Sequence, residues 1–108
     1  MKIDWKQLRA NIPSKIKTKY KTSFDVLWQD NLVDSSGKYL YGITKFNPNQ
    51  IIINTQQSDK EAVLTLFHEV IHAMDDSYEV GLTENNVMKL EKSFLYIKEL
   101  FHILEGNK

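Results

Sequence analysis

The stretch that decides the fold of this chain is Ser58-Asp-Lys-Glu-Ala-Val-Leu-Thr-Leu-Phe-His-Glu-Val-Ile-His-Ala73. Ser58 and Glu61 have the spacing of a capping box, in which the hydroxyl and the carboxylate each accept a hydrogen bond from an unpaired main-chain N–H at a helix start. Apolar residues then recur with the period of an amphipathic helix. The predicted apolar face, which we expect to face the core, contains Ala62, Val63, Leu66, Phe67, Val70, Ala73 and Met74. The opposite face, toward a cleft or water, contains Glu61, Thr65, His68, Glu69, His72, Asp75 and Asp76.

A second helix is predicted after a loop at residues 77–82. Thr83 has the position of an N-cap, because a threonine hydroxyl there can accept a hydrogen bond from the first helical turn. The apolar stripe that follows consists of Val87, Leu90, Phe94, Ile97, Phe101 and Leu104. A short loop makes consecutive helices antiparallel neighbours, so we expect two long helices closing the domain over a sheet.

The sheet is predicted from three segments rich in aromatic and β-branched residues. Residues 39–46 and 51–54 flank an Asn-Pro-Asn loop and indicate a hairpin, and residues 24–28 indicate one further strand. Residues 16–20 are expected to form either a short edge strand or an irregular arm, and residues 3–10 a turn or two of helix. The predicted fold class is α+β, with a small, mostly antiparallel sheet packed on the helix that begins at Ser58, and residues 1–108 form one domain.

Composition restricts the function classes. The chain has no Cys, so any metal must be held by His, Asp or Glu. It has no apolar run near the ~20 residues that span a bilayer and no signal-peptide core, so we expect a soluble cytoplasmic protein without a membrane partner. Residues 1–21 carry seven Lys or Arg against one Asp, and residues 59–108 carry five against ten Asp or Glu. We interpret the basic arm as a solvated strand beside the acidic half and not as a nucleic-acid contact.

The segment His68-Glu-Val-Ile-His72 has the pattern H-E-x-x-H inside the predicted helix. Residues four apart lie on one helix face, so both imidazoles can bind one ion, while Glu69 can act as general base on a metal-activated water. With 3 His and 7 Glu in the chain, chance would produce this pattern roughly 0.005 times. The competing interpretation is that the three residues only make a helix face soluble.

A catalytic zinc site needs a third protein ligand. Asp75 is about 10 Å along the helix from His68 and cannot share its ion. Glu84 and Glu91 both border the apolar stripe of the second helix, about 10 Å apart in height, so only one of them can reach the metal. The helical phase does not choose between them, and His102 is a further, more distant candidate.

The segment from Leu64 to Ala73, followed by Gly81-Leu-Thr-Glu84-Asn-Asn-Val87, resembles small HExxH metallopeptidase-like proteins of phages and mobile elements. These are related to minimal gluzincins and distantly to ImmA/IrrE-type peptidases. The resemblance covers residues 39–108 and leaves residues 1–38 outside it. It implies a zincin-like fold, one zinc ion, His68 and His72 as ligands, Glu69 as base and Glu84 as third ligand, with Glu91 as the alternate.

The resemblance also implies a bacterial host cell and a protein or peptide substrate. Zincin sheets pair an edge strand with an extended peptide, so Gly42, Ile43 and Thr44 are expected to bind substrate, with Gly42 permitting close backbone approach. No counterpart of the oxyanion-stabilising residue of larger gluzincins is evident, although Tyr41 and Tyr78 are aromatic candidates. The expected function is zinc-dependent peptide hydrolysis. The alternative is a non-catalytic, zinc-stabilised phage regulatory or interaction protein, and the sequence leaves the oligomeric state open.

Overall fold

The structure, a computed structural model, describes residues 3–19, 22–93 and 96. Its elements, in chain order, are helix α1 (Trp5–Ala10), strands β1 (Lys15–Lys19), β2 (Thr22–Gln29), β3 (Gly42–Lys45) and β4 (Gln50–Asn54), and helices α2 (Asp59–Tyr78) and α3 (Glu84–Glu91). The α+β class is therefore confirmed. No helix among the described residues has the length and apolar character needed to cross a bilayer.

The four strands form one mixed sheet in the order β1-β2-β4-β3. The pairings β1–β2 and β3–β4 are antiparallel, as expected, but the central pairing β2–β4 is parallel. The parallel pair arises because the chain crosses from the end of β2 to the far edge, forms β3 there, and returns as β4 between β3 and β2. Three consecutive residues of β4, Ile51, Ile52 and Ile53, are buried, so both faces of this central strand are covered at these positions.

The hydrophobic core lies between the sheet and α2. Phe24 and Val26 of β2 and Ile51 and Ile53 of β4 pack with Ala62 and Ala73 of α2, and partly buried Ile12, Ile16, Leu66 and Val70 extend this cluster. Burial of apolar area at ~25 cal/mol per Å² makes this contact the main force holding the helix on the sheet. The helix face that carries the chemistry is thereby fixed relative to the strands.

Helix α2 begins at the predicted capping box. The Ser58 hydroxyl accepts a hydrogen bond from the Glu61 N–H (3.1 Å), and the Glu61 carboxylate accepts one from the Ser58 N–H (3.4 Å). The helix ends at Tyr78, and the following residue, the C-cap Glu79, has a left-handed backbone (φ 54°). The predicted division of its faces was wrong at three positions: Thr65 and Glu69 are buried at 8% and 7% exposure, and Met74 is 45% exposed.

Two residues on the polar face of α2, Thr65 and Glu69, are buried because β3 lies against them. A Cβ added at Gly42 would be 2.6 Å from Thr65 Cγ2 and 3.3 Å from Glu69 Cγ. The close approach seen at Gly42 is that of helix α2 to the strand. A residue with a side chain at this position would separate the strand from the helix.

Helix α3 begins where predicted. The Thr83 hydroxyl accepts a hydrogen bond from the Asn86 N–H (3.1 Å), and the Asn86 side chain completes a second capping box. The Asp75 carboxylate accepts hydrogen bonds from the N–H groups of Gly81 (2.7 Å) and Leu82 (3.1 Å). The α2–α3 loop is thus held on α2. The helix is shorter than expected: it ends at Glu91, and the rest of the predicted stripe, from Phe94 on, lies outside the described residues.

The N-terminal region forms the expected helix and edge strand, except that Tyr20 lies outside the described residues. The Arg9 guanidinium donates hydrogen bonds to the carbonyl oxygens of Gln57 (2.8 Å) and Thr55 (3.0 Å). These bonds fasten α1 to the segment between β4 and α2. In β1, Lys15 forms an exposed ion pair with Asp25 of β2 (3.7 Å).

Candidate metal centre

The two histidines of the H-E-x-x-H motif point the same way from consecutive turns of α2. Their Nε2 atoms are 3.2 Å apart, and both rings are partly buried, with 16% and 29% of the side-chain surface exposed. Four-residue spacing on a helix places the rings on one face, as the sequence predicted. The two Nε2 atoms are therefore close enough to bind the same ion.

Glu84, the first residue of α3, completes the group. Its Oε1 is 2.8 Å from His68 Nε2 and its Oε2 is 2.9 Å from His72 Nε2. One ligand atom from each of the three residues lies within 4.8 Å of the others, so the group could hold a metal ion. Ligands at ~2.0–2.1 Å around a tetrahedral ion are about 3.3 Å apart. The separation of the two nitrogens thus matches that of neighbouring zinc ligands.

The hydrogen-bond requirements of His68 also suit a cation. Its Nε2 faces Glu84, and its Nδ1 is 3.2 Å from Oε1 of Glu91. Carboxylate oxygens accept hydrogen bonds, so both ring nitrogens would have to donate, and only a doubly protonated imidazole has two donors. A metal ion at Nε2 removes that requirement while Nδ1–H still donates to Glu91. The donor set of two imidazoles and a carboxylate is one that zinc accepts.

The two glutamates that helical phase could not separate contact different nitrogens of the same ring. Glu84 lies with the two Nε2 atoms, whereas Glu91 lies behind His68 at Nδ1 and is not a member of the convergent group. Asp75 binds the α2–α3 loop instead. His102 lies outside the described residues.

Glu69, between the two histidines, is 7% exposed. Thr44 of β3 donates a hydrogen bond from Oγ1 to Glu69 Oε1 at 2.8 Å. Burial raises the pKa of the Glu69 carboxyl above its usual value, because water is removed from the charged form, and the Thr44 hydrogen bond and the two histidines partly oppose the rise. Among the described residues, no donor bonds the second carboxylate oxygen, Oε2.

Cavities lie on both sides of this group. One of about 490 Å³ is lined by residues 42–44 and Phe46, by Glu84 and, on α2, by His68, Glu69, His72, Asp75 and Asp76. The other, of about 380 Å³, extends toward Tyr41, Met88 and Glu91. Because the two share Gly42, His68, Glu69 and Glu84 among their lining residues, an open groove passes over the candidate metal centre along β3.

Among the described residues, no other strand pairs with the outer side of the strand that borders this groove. β3 is an edge of the sheet. Asn54 N–H donates to the Tyr41 carbonyl (2.8 Å), and the register pairs Gly42 with Ile53. Since antiparallel residues alternate in the direction of their N–H and C=O groups, those of Gly42 and Thr44 face the open edge.

Sequence reasoning missed two features of the site. Thr44 was expected to contribute main-chain groups, but its hydroxyl also contacts Glu69. Asp75 was correctly excluded as a ligand by its distance along the helix, but its role was not predicted. Its carboxylate holds the loop that leads to Glu84. Of the two tyrosines considered, Tyr41 lines the groove, and Tyr78 lines a separate apolar depression between α2 and α3.

Comparisons with protein-family models, with curated proteins and with solved structures found no match for this chain.

Proposed function

We propose that this protein is a zinc-dependent metallopeptidase. The observation that carries the proposal is the convergence of His68 Nε2, His72 Nε2 and the Glu84 carboxylate beside a second, buried carboxylate, Glu69, in an open groove. Three protein ligands leave a fourth position of a tetrahedral ion for water, as a catalytic site requires. A purely structural zinc site would have four protein ligands.

In this proposal His68, His72 and Glu84 hold one zinc ion. A bound zinc ion would lower the pKa of a coordinated water to near neutral and would polarise a carbonyl oxygen. Glu69 accepts a proton from the attacking water as its oxygen bonds to the peptide carbonyl carbon, and passes that proton to the amine as the C–N bond breaks. The unbonded Oε2 of Glu69 supplies the free lone pair that this transfer needs.

Glu91 has a supporting part in the same proposal. A metal-ligating histidine commonly donates its other ring N–H to a carboxylate, which fixes the tautomer and the ring orientation. The contact between His68 Nδ1 and Glu91 (3.2 Å) provides that partner. In this proposal Glu91 orients the ligand His68. It does not bind the metal itself, which was the alternate role considered from the sequence.

The substrate in this proposal is an extended peptide that lies along the open edge of β3. The outward main-chain groups of Gly42 and Thr44 can pair with a peptide backbone, which gives binding with little dependence on side chains. The groove has no closed specificity pocket among the lining residues described above, so we expect broad cleavage preference.

Digestion of a peptide library by zinc-loaded protein tests the proposal. The wild type should cleave, Glu69→Gln should keep zinc and lose cleavage by about 10²- to 10⁴-fold, and Glu79→Gln should cleave normally. Glu79 is a matched control because it is an exposed glutamate at the end of the same helix. Cleavage that survives Glu69→Gln would contradict the proposed base.

The alternative function, a non-catalytic metal clamp in an interaction protein, has one observation in its favour. The Glu84 carboxylate contacts histidines of α2 from the first turn of α3, so an ion there would join the two helices. Such a protein would bind zinc and gain stability from it, yet neither the wild type nor any variant would hydrolyse peptides.

A further inference from the structure

We propose that Thr44 is a positioning residue for Glu69, and that it links peptide binding at the sheet edge to the orientation of the general base. The inference rests on the proposed function for the role of Glu69. The inference goes beyond the proposed function because it assigns a role to the Thr44 hydroxyl, on the strand that borders the groove.

The first support is the contact itself. Thr44 Oγ1 lies 2.8 Å from Glu69 Oε1 and 3.1 Å from the Glu69 main-chain carbonyl oxygen. Its single hydroxyl hydrogen can be given to the carboxylate, and a hydrogen bond to a charged acceptor is about twice as strong as a neutral one. One carboxylate oxygen is thereby held, and the other is left for the proton transfer.

The second support is the packing around this hydrogen bond. Gly42, two residues earlier on the same face of β3, brings the strand so close that an added Cβ would be 3.3 Å from Glu69 Cγ. A side chain at the next inward-facing position therefore reaches the carboxylate. On the helix, Thr65 packs on Gly42 and donates from its own hydroxyl to Gln57 (2.9 Å), so it does not compete for Glu69.

The third support is the direction of the main chain at Thr44. Its N–H and C=O groups face the open edge of β3, while its hydroxyl bonds Glu69. One residue thus offers its backbone to a bound peptide and its side chain to the base. A peptide that pairs with Thr44 restrains the strand, and with it the carboxylate that must meet the attacking water.

Two substitutions separate positioning from folding. Thr44→Val has nearly the same shape and suits a strand, but it lacks the hydroxyl. Thr44→Ser keeps the hydroxyl and loses a methyl group. We expect both variants to bind zinc with wild-type stoichiometry and affinity. For peptide hydrolysis, Thr44→Val should lower kcat about ten- to a hundredfold with KM within about twofold of wild type, and Thr44→Ser should restore most of kcat.

A second measurement does not depend on turnover. Acetohydroxamic acid loses a proton when it chelates a metal ion. A carboxylate that is held beside the ion can accept this proton, and acetohydroxamate then binds more tightly. In protein loaded with Co²⁺, titration followed by the visible spectrum should show about tenfold weaker acetohydroxamate binding for Thr44→Val and near wild-type binding for Thr44→Ser. Azide, which brings no proton, should bind all three proteins alike.

The outcomes distinguish the two proposals. If the wild type hydrolyses no peptide but the acetohydroxamate pattern holds, the proposed function fails and the positioning role of Thr44 stands. If the wild type hydrolyses peptides and Thr44→Val equals it in kcat and in acetohydroxamate affinity, the positioning role is overturned. Loss of zinc or of folding by Thr44→Val, with Thr44→Ser equally defective, would also overturn it, because Thr44 would then act on the fold.

Discussion

Replacing Glu84 by Gln should weaken zinc binding far more than replacing Glu91 by Gln. Glu84 contacts both Nε2 atoms, at 2.8 and 2.9 Å, whereas Glu91 contacts only His68 Nδ1. Four-ligand zinc peptides bind with about 10 to 16 kcal/mol, or about 2.5 to 4 kcal/mol per ligand. Glu84→Gln should therefore raise the zinc Kd by about two to three orders of magnitude. Glu91→Gln removes the carboxylate that contacts His68 Nδ1 and should raise the zinc Kd by only about ten- to a hundredfold.

The assay is competition with a fluorescent zinc chelator near neutral pH. The Glu84 side chain is 61% exposed, so Gln leaves no buried unpaired group and the fold should remain intact. Glu79→Gln removes the same charge from an exposed position and controls for the change in overall charge. A Glu84→Gln protein within about threefold of wild type, or a larger loss for Glu91→Gln than for Glu84→Gln, would refute the assignment.

Three further predictions concern stability. Because the folded protein holds the Glu69 proton more tightly than the unfolded chain does, ionisation of Glu69 costs stability as pH rises through its raised pKa. In the presence of chelator, Glu69→Gln should therefore have a higher melting temperature than the wild type near pH 7, and the difference should shrink toward acid pH. A difference in melting temperature that does not change with pH would contradict this explanation. Gly42→Ala should lower the free energy of unfolding, measured with urea, by about 1 to 3 kcal/mol. The reason is that the added Cβ would be 2.6 Å from Thr65 Cγ2 and 3.0 Å from the Ile52 carbonyl oxygen. The control Lys45→Ala, on the same strand, should change the free energy of unfolding little. Zinc at 100 times its Kd should stabilise the protein by about 2.7 kcal/mol, seen as a higher melting temperature that chelator reverses; unchanged melting would contradict metal binding.

The features that the sequence predicted well depend on short-range contacts. The start of α2 was found because a capping box joins residues three apart, Ser58 and Glu61, and the start of α3 because Thr83 has the position of an N-cap. The facing histidines were found because helix geometry alone brings His68 and His72 together. These contacts are determined within one or two turns of chain, so no tertiary knowledge is needed.

The features that were missed depend on which segments meet. The parallel pairing of β2 with β4 follows from a crossover that no local pattern encodes, although three consecutive buried isoleucines were a usable signal of a central strand. The polar face of α2 was expected to meet water or a cleft, yet Gly42 allows β3 to cover Thr65 and Glu69.

The choice between Glu84 and Glu91 shows the same limit. Helical phase placed both beside the apolar stripe, and their difference in height along the helix allowed only one of them to reach the ion. The structure brings both carboxylates to His68, one at each ring nitrogen. A wheel gives the direction of a side chain but not the orientation of the ring that it meets.

Anomalous diffraction at the zinc edge from crystals of the zinc-loaded protein is the most direct measurement of the metal centre. We expect one peak about 2.0 to 2.2 Å from Nε2 of His68, Nε2 of His72 and a carboxylate oxygen of Glu84. Crystals that take up no zinc, or a peak whose neighbours do not include these three residues, would contradict the account.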